Sequence, residues 1–138
     1  MGLEDRNASL REQLRALNWL ELRREDALLR RQALEEERDR YALELNQTER
    51  RRREAESRPY TAGLCDVCGR PLPEDIARQQ FYARRQRRLL ELHRERQRLE
   101  QNRDRVEEAL KHCESELQTL EEDFRRREEL LAALGKEK

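Results

Sequence analysis

Arg58-Pro59-Tyr60-Thr61-Ala62-Gly63-Leu64-Cys65-Asp66-Val67-Cys68-Gly69-Arg70-Pro71-Leu72-Pro73 contains all three prolines of the 138-residue chain and two of its four glycines. The other two, Gly2 and Gly135, stand near the ends. Inside a helix, Gly and Pro cost roughly 1 and 3 kcal/mol relative to Ala. The sequence therefore permits two uninterrupted helical arms and gathers its helix-breaking residues into one short segment. Pro73 followed by Glu74 and Asp75 suits a helix start, where Pro is tolerated and acidic groups favour the positive end of the dipole. Two arms of similar length around one sharp loop predict a helical hairpin.

Composition agrees. Charged residues make up 45% of the chain and hydrophobic ones 35%, with 4% aromatic, so a compact core of ordinary size is not expected. Thirty-one basic and thirty-one acidic side chains cancel. This balance argues against a chain held open by self-repulsion and against a dedicated basic nucleic-acid module. The N-terminus lacks the apolar stretch of a secretory signal, and Arg6 stands where a myristoylation signal needs Ser or Thr. The longest apolar run, Leu130 to Leu134, is far short of the ~20 residues that span a bilayer. Three cysteines do not build a disulfide framework, which points to an intracellular chain (cytoplasm or nucleoid, or a nucleus) with no membrane partner.

The second arm carries a heptad. Position a falls at Tyr82, Leu89, Arg96, Arg103, Leu110, Leu117, Phe124 and Leu131, and d at Arg85, Leu92, Leu99, Val106, Cys113, Leu120, Arg127 and Leu134. Twelve of these sixteen residues are apolar, the signature of a coiled-coil seam. In the first arm Leu3, Leu10 and Leu17 share one phase, and Leu34, Tyr41, Thr48 and Ala55 another. The offset of three residues is a stammer, placed near Ala27-Leu28-Leu29. The predicted fold class is all-α: a long antiparallel coiled-coil hairpin with a first arm over 1–58, an apex loop over 59–75 and a second arm over 76–138. Taking the loop midpoint as the apex pairs residues whose numbers total roughly 133. Arg96 and Arg103 then lie beside Glu35, Glu36 and Glu37, in a charged, weakly packed middle section that would serve as a bending point.

Chemistry concentrates in the loop. Cys65 and Cys68 form C-x-x-C, and Gly69 follows. Two intervening residues let both sulfurs converge on one ion, with Zn–S distances near ~2.3 Å. A glycine there can take positive φ and turn backbone N–H groups toward the thiolates. A closed structural zinc site has four ligands, and this turn offers two. Cys113 lies about 38 residues into the second helix, roughly 57 Å away, and reads as a small core residue. His93 and His112 fall at e and c, on the solvated surface. The simplest donor of the missing pair is a second copy of the chain, with one Zn2+ per two chains held by Cys65 and Cys68 of each. Arg58 and Arg70 would partly offset the −2 charge of a tetrathiolate zinc. Apolar residues also crowd near the loop, and Leu64, Val67, Leu72, Ile76 and Phe81 are expected to form an apex-to-apex contact. The run Arg50 to Arg53 is flanked by Glu49, Glu54 and Glu56 and reads as a solvated helix face.

The stretch Cys65-Asp66-Val67-Cys68-Gly69-Arg70-Pro71-Leu72 between two heptad arms resembles the zinc hook of the Rad50/SbcC family. The match is specific over about eight residues and generic across the helices. The resemblance implies that Cys65 and Cys68 ligate zinc and that two apices tether two complexes in DNA double-strand break repair. The parent ATPase would bind an Mre11/SbcD-like nuclease and DNA. Asp66 departs from the Pro frequent in that family. A phosphate-binding loop needs two glycines five apart, whereas Gly63 and Gly69 are six apart, so the chain reads as a non-enzymatic, excised hook. One alternative resembles the DksA family of coiled-coil transcription factors, with Asp66, Glu74 and Asp75 at the tip. Another is a redox protein using the Cys65/Cys68 dithiol.

Overall fold

The computed structural model describes residues 2–61, 63–65 and 67–136, the last without its side chain. Among these the chain is all-α: α1 spans Leu3–Ala16, α2 Leu20–Ser57 and α3 Glu74–Lys136. Among the described residues, the β-type pairing is one antiparallel bridge between Leu64 and Pro71. Among the described residues, no helix is long and apolar enough to cross a membrane. The chain divides into two compact units, one made of residues 1–37 with 106–138 and the other of residues 38–105.

The first unit has a core of Leu20 and Ala27 from α2 with Cys113, Leu117 and Leu120 from α3. Leu17, Leu34 and Phe124 pack against it. The Cys113 thiol is buried and donates to the Ala27 carbonyl at 3.2 Å, so it is a packing residue, as its d position predicts. Arg24 and Arg127 lie over the Phe124 ring, 5.3 and 5.0 Å from its centre. Arg30 reaches Glu116 at 3.1 Å and Arg127 reaches Glu21 at 3.2 Å. The ion pairs fall along α3, from Arg127 opposite Glu21 to Glu116 opposite Arg30, so the two stretches run antiparallel.

In the second unit Leu92 and Leu99 are buried on α3, and Thr48 on α2. Thr48 sits at a seam position without an orphaned hydroxyl, because its Oγ1 donates to the Glu44 carbonyl at 2.9 Å. Every d position of the α3 heptad is buried or half-buried. The a positions are less faithful: Tyr82, Arg96 and Leu131 are exposed. Near the loop the seam slips by one residue, onto Ala77 and Phe81.

Two sequence expectations fail here. The first arm is interrupted. α1 stops at Ala16, residues 17–19 form a turn, and the bonds Leu17 N–H to Leu14 C=O, Asn18 to Arg15 and Leu20 to Leu17 join residues three apart. Such 3₁₀-type spacing overwinds the chain, which is what a three-residue stammer demands. The change of phase thus occurs between Leu17 and Leu20, not at Ala27-Leu28-Leu29. Buried Leu20 and Ala27 already belong to the phase of Leu34, Tyr41 and Thr48.

The pairing register also differs. Arg30 meets Glu116 where a total of 133 places Arg103, and Ala27 meets Cys113 where it places Val106. In the second unit the Arg58 carbonyl accepts from Arg85, not from the neighbourhood of Asp75. The cause lies beyond Ser57, where the chain leaves the helix and Tyr60 packs on Phe81. An extended residue rises ~3.3 Å against 1.5 Å in a helix, so a few loop residues accompany about twice as many of α3. Within their own helices, Arg96 pairs with Glu100 at 2.9 Å, Arg103 with Asp104 at 3.4 Å, and Glu35 with Arg31 at 3.8 Å.

Candidate metal centre at the Cys65–Cys68 turn

Residues 58–73 connect α2 to α3. Pro59 and Pro73, which cannot donate backbone bonds, stand just outside the two helices, and the Pro73 carbonyl accepts the Ala77 N–H at 2.8 Å. Between them the chain folds into a narrow turn. Leu72 N–H donates to the Gly63 carbonyl at 3.2 Å, Cys65 N–H to the Arg70 carbonyl at 2.8 Å, and Gly69 N–H to the Cys65 carbonyl at 2.8 Å. These bonds pin both ends of the Cys65–Gly69 segment. Gly69 has φ +68°, and among the described residues no other shows positive φ. It is the position where the chain reverses so that Arg70 can pair with Cys65.

The turn brings Cys65 and Cys68 onto one short segment as thiols, the first half-buried and the second exposed. Asp66 lies outside the described residues. Two thiols held on a backbone-pinned turn fit half of the ligand set of a thiophilic ion such as zinc. Among the described residues no cluster of three or more His, Cys, Asp and Glu side chains is present. His93 and His112 are exposed on α3, and Cys113 is in the core of the other unit.

The structure divides the remaining predicted residues. Leu64 is 60% exposed, Val67 96% and Ile76 44%, so Leu64 and Val67, beside the cysteines in sequence, have little cover from their own chain, and Ile76 in the first turn of α3 is partly exposed. Leu72 and Phe81 do not share that freedom. Leu72 is half-buried, with its Cδ1 only 3.7 Å from where a Cβ on Gly63 would sit. Phe81 meets Tyr60 edge-on at 5.4 Å and Tyr82 at 5.5 Å, and lies under Arg85. Leu72 packs back on the loop at Gly63, and Phe81 holds the loop to α3 through Tyr60. Arg70 is exposed beside the turn, and its carbonyl is the acceptor for Cys65.

Arg58 directly follows α2. Its side chain lines a depression of about 650 Å³ together with Ala55, Pro59, Thr61, Phe81, Arg84, Arg85 and Arg88. The Arg84-Arg85-Gln86-Arg87-Arg88 run was the signal for this feature. Four of its five residues are arginine, against four of four in Arg50 to Arg53, and the seam position of Arg85 masked it. Compared with protein-family models, curated proteins and solved structures, the chain matches none of them.

Proposed function

We propose that the chain is a non-enzymatic, zinc-dependent homodimerisation module, in which Cys65 and Cys68 of two copies close one tetrahedral site. The observation that carries this reading is the turn itself: a backbone-pinned C-x-x-C-G segment with one thiol exposed and Leu64 and Val67 uncovered beside it. Two thiolates per chain leave a zinc ion half-ligated, and uncovered apolar side chains beside it give a second copy something to bury. Arg70 is the cation available to moderate the charge of a tetrathiolate site. In this reading the antiparallel pairing within each unit belongs to one long coiled-coil hairpin with the turn at its apex. The resemblance of residues 65–72 to the Rad50/SbcC zinc hook supports a tethering role in DNA double-strand break repair, with an Mre11/SbcD-like nuclease and DNA as partners of the parent ATPase.

Native mass spectrometry with and without a chelator tests the proposal. Two chains holding one zinc, falling to single chains on chelation, is the expected result. One zinc per single chain would overturn it and favour a self-contained finger of the DksA type. A metal-free monomer with a Cys65–Cys68 disulfide would favour the redox reading.

A further inference from the structure

The end of α2 and a stretch of α3 border a small recess of about 170 Å³, lined by Arg51, Glu54, Ala55, Arg58 and Arg88. All five residues belong to the second unit. Arg51 and Ala55 are one turn apart on α2, and Arg58 directly follows that helix. The short Ala55 side chain therefore lies between two long arginines on one stripe. Arg88 comes from α3. Three guanidinium groups thus reach one recess from two helices, with Ala55 providing the gap and Glu54 the acidic neighbour.

The chain itself leaves this charge largely unanswered. In the Arg50–Arg53 run, Arg52 takes Glu49 at 2.6 Å and Glu56 at 2.7 Å, and Arg53 takes Glu49 at 3.4 Å. Those pairs use two of the three flanking acids and leave Arg51 outside. Arg51, Arg58 and Glu54 form no side-chain ion pair among the described residues. Arg88 meets Glu91 at 3.6 Å on an exposed surface, a contact that contributes little and yields readily. The neighbouring Arg84 and Arg85 are engaged within the fold and are not counted. Arg84 has an interaction of its own, and Arg85 donates to the Arg58 carbonyl and lies over Phe81 and Tyr82. The Arg85 cation thereby covers the carbonyl end of α2, whose negative pole would otherwise repel an anion. Three cations against one carboxylate leave the recess with a net charge of +2.

We infer that Arg51, Arg58 and Arg88 bind a phosphate dianion, either free or as the terminal group of a phosphomonoester. Acceptor geometry sets the choice. A phosphoryl group of this kind presents three strong acceptor oxygens and close to two negative charges, so cations arriving from three sides each find a partner. A carboxylate offers two oxygens in one plane. A phosphodiester has two unesterified oxygens and a single charge, so either of these ligands leaves one arginine short. The planar guanidinium also pairs with phosphate through two parallel hydrogen bonds, which an ammonium does not. Glu54 repels the ligand and keeps its affinity moderate, and a dianion is what balances the remaining charge. This inference is independent of the zinc reading.

Isothermal titration calorimetry of the full chain with sodium phosphate tests it, at low salt and at a pH well above about 6, the second pKa of a phosphomonoester. Arg58→Gln and Arg88→Gln should each weaken binding at least tenfold, and Glu54→Gln should tighten it. Arg125→Gln, an equal charge change in the other unit, should leave the affinity unchanged. Circular dichroism of each variant confirms that the helices are intact. Malonate, a dianion built from two carboxylates, and diethyl phosphate should both bind at least tenfold more weakly than phosphate. Failure of phosphate to bind the wild-type chain would overturn the inference. Malonate binding as tightly as phosphate would overturn it as well, as would equal losses in the Arg58, Arg88 and Arg125 variants, and either would leave a general cationic surface. Phenyl phosphate separates the two sources. Binding at least as tight as that of free phosphate assigns the recess to a phosphorylated ligand, and weaker binding assigns it to the free ion.

Discussion

Gly69 shows at the scale of one residue how conformation limits chemistry. A Cβ there would meet nothing within 4 Å, so space does not require glycine; the φ of +68° does. An L-residue in that region costs roughly 1–2 kcal/mol, about a factor of ten in an equilibrium. Gly69→Ala should weaken zinc binding by that order, read by competition with a chromophoric chelator, and leave helix content unchanged. Unchanged affinity would show that the turn tolerates another backbone geometry. Glu49 gives a second residue-scale test. Its hydrogen bond from Arg52, helped by the charges of Arg52 and Arg53, holds its carboxyl down at about 2, from an ordinary 4.5. A depressed carboxylate stabilises the folded chain fully above its unfolded pKa, and that contribution is lost as pH falls from about 4.5 through about 2. NMR titration of the Glu49 side-chain carbon should place its midpoint near 2 in the wild type and well above that in Arg52→Gln.

Helices supply the next scale. Leu92 is 1% exposed and is the largest fully buried side chain of the described residues. Leu92→Ala removes a buried isobutyl group from a thin seam with few neighbours to compensate, and large-to-small changes of this kind cost about 2–5 kcal/mol. A marked fall in Tm should follow, whereas exposed Leu90→Ala should change Tm little. The interruption at 17–19 is testable at the same scale. Deleting Leu17, Asn18 and Trp19 brings Leu20 into the phase of Leu3 and Leu10 and removes the need for overwinding. Amide exchange across the junction should then slow and helicity rise; faster exchange would mean that the turn has a packing role of its own.

For the whole molecule, metal, protons and assembly are expected to move together. Thiolates, not thiols, bind zinc, so binding releases protons and weakens as pH falls. Sedimentation should therefore show zinc-dependent dimers at neutral pH giving way to single chains on acidification, with most of the helical signal retained. Cys65→Ser should yield single chains at all pH values, and Cys113→Ser should keep the zinc-dependent dimer because its thiol is a packing group. Leu64→Ser and Val67→Ser act where the chain leaves apolar surface uncovered, and are expected to weaken dimers without releasing metal from the cysteines. Phe81→Ser, by contrast, should loosen the loop from α3 in each chain.

Sequence by itself determined the helical character, the place of the loop, the C-x-x-C-G turn and the d positions of α3. All of these follow from local rules: where Gly and Pro are excluded, where two cysteines stand three apart, and where apolar residues recur every seven. It also contained the stammer, although Leu20 and Ala27 were not counted with the phase they share. Tertiary structure alone decided which residues meet. The register depends on how far the loop climbs α3 before turning, and that distance is set by Tyr60 packing on Phe81 and by Arg85 reaching the Arg58 carbonyl. It also took Leu72 and Phe81 into the loop's own packing and left Leu64, Val67 and Ile76 outside. Arg58 came to line one depression with Arg84, Arg85 and Arg88 for the same reason. A rise of ~3.3 Å per extended residue against 1.5 Å in a helix turns a few loop residues into several residues of register, and no periodicity within either arm records that offset.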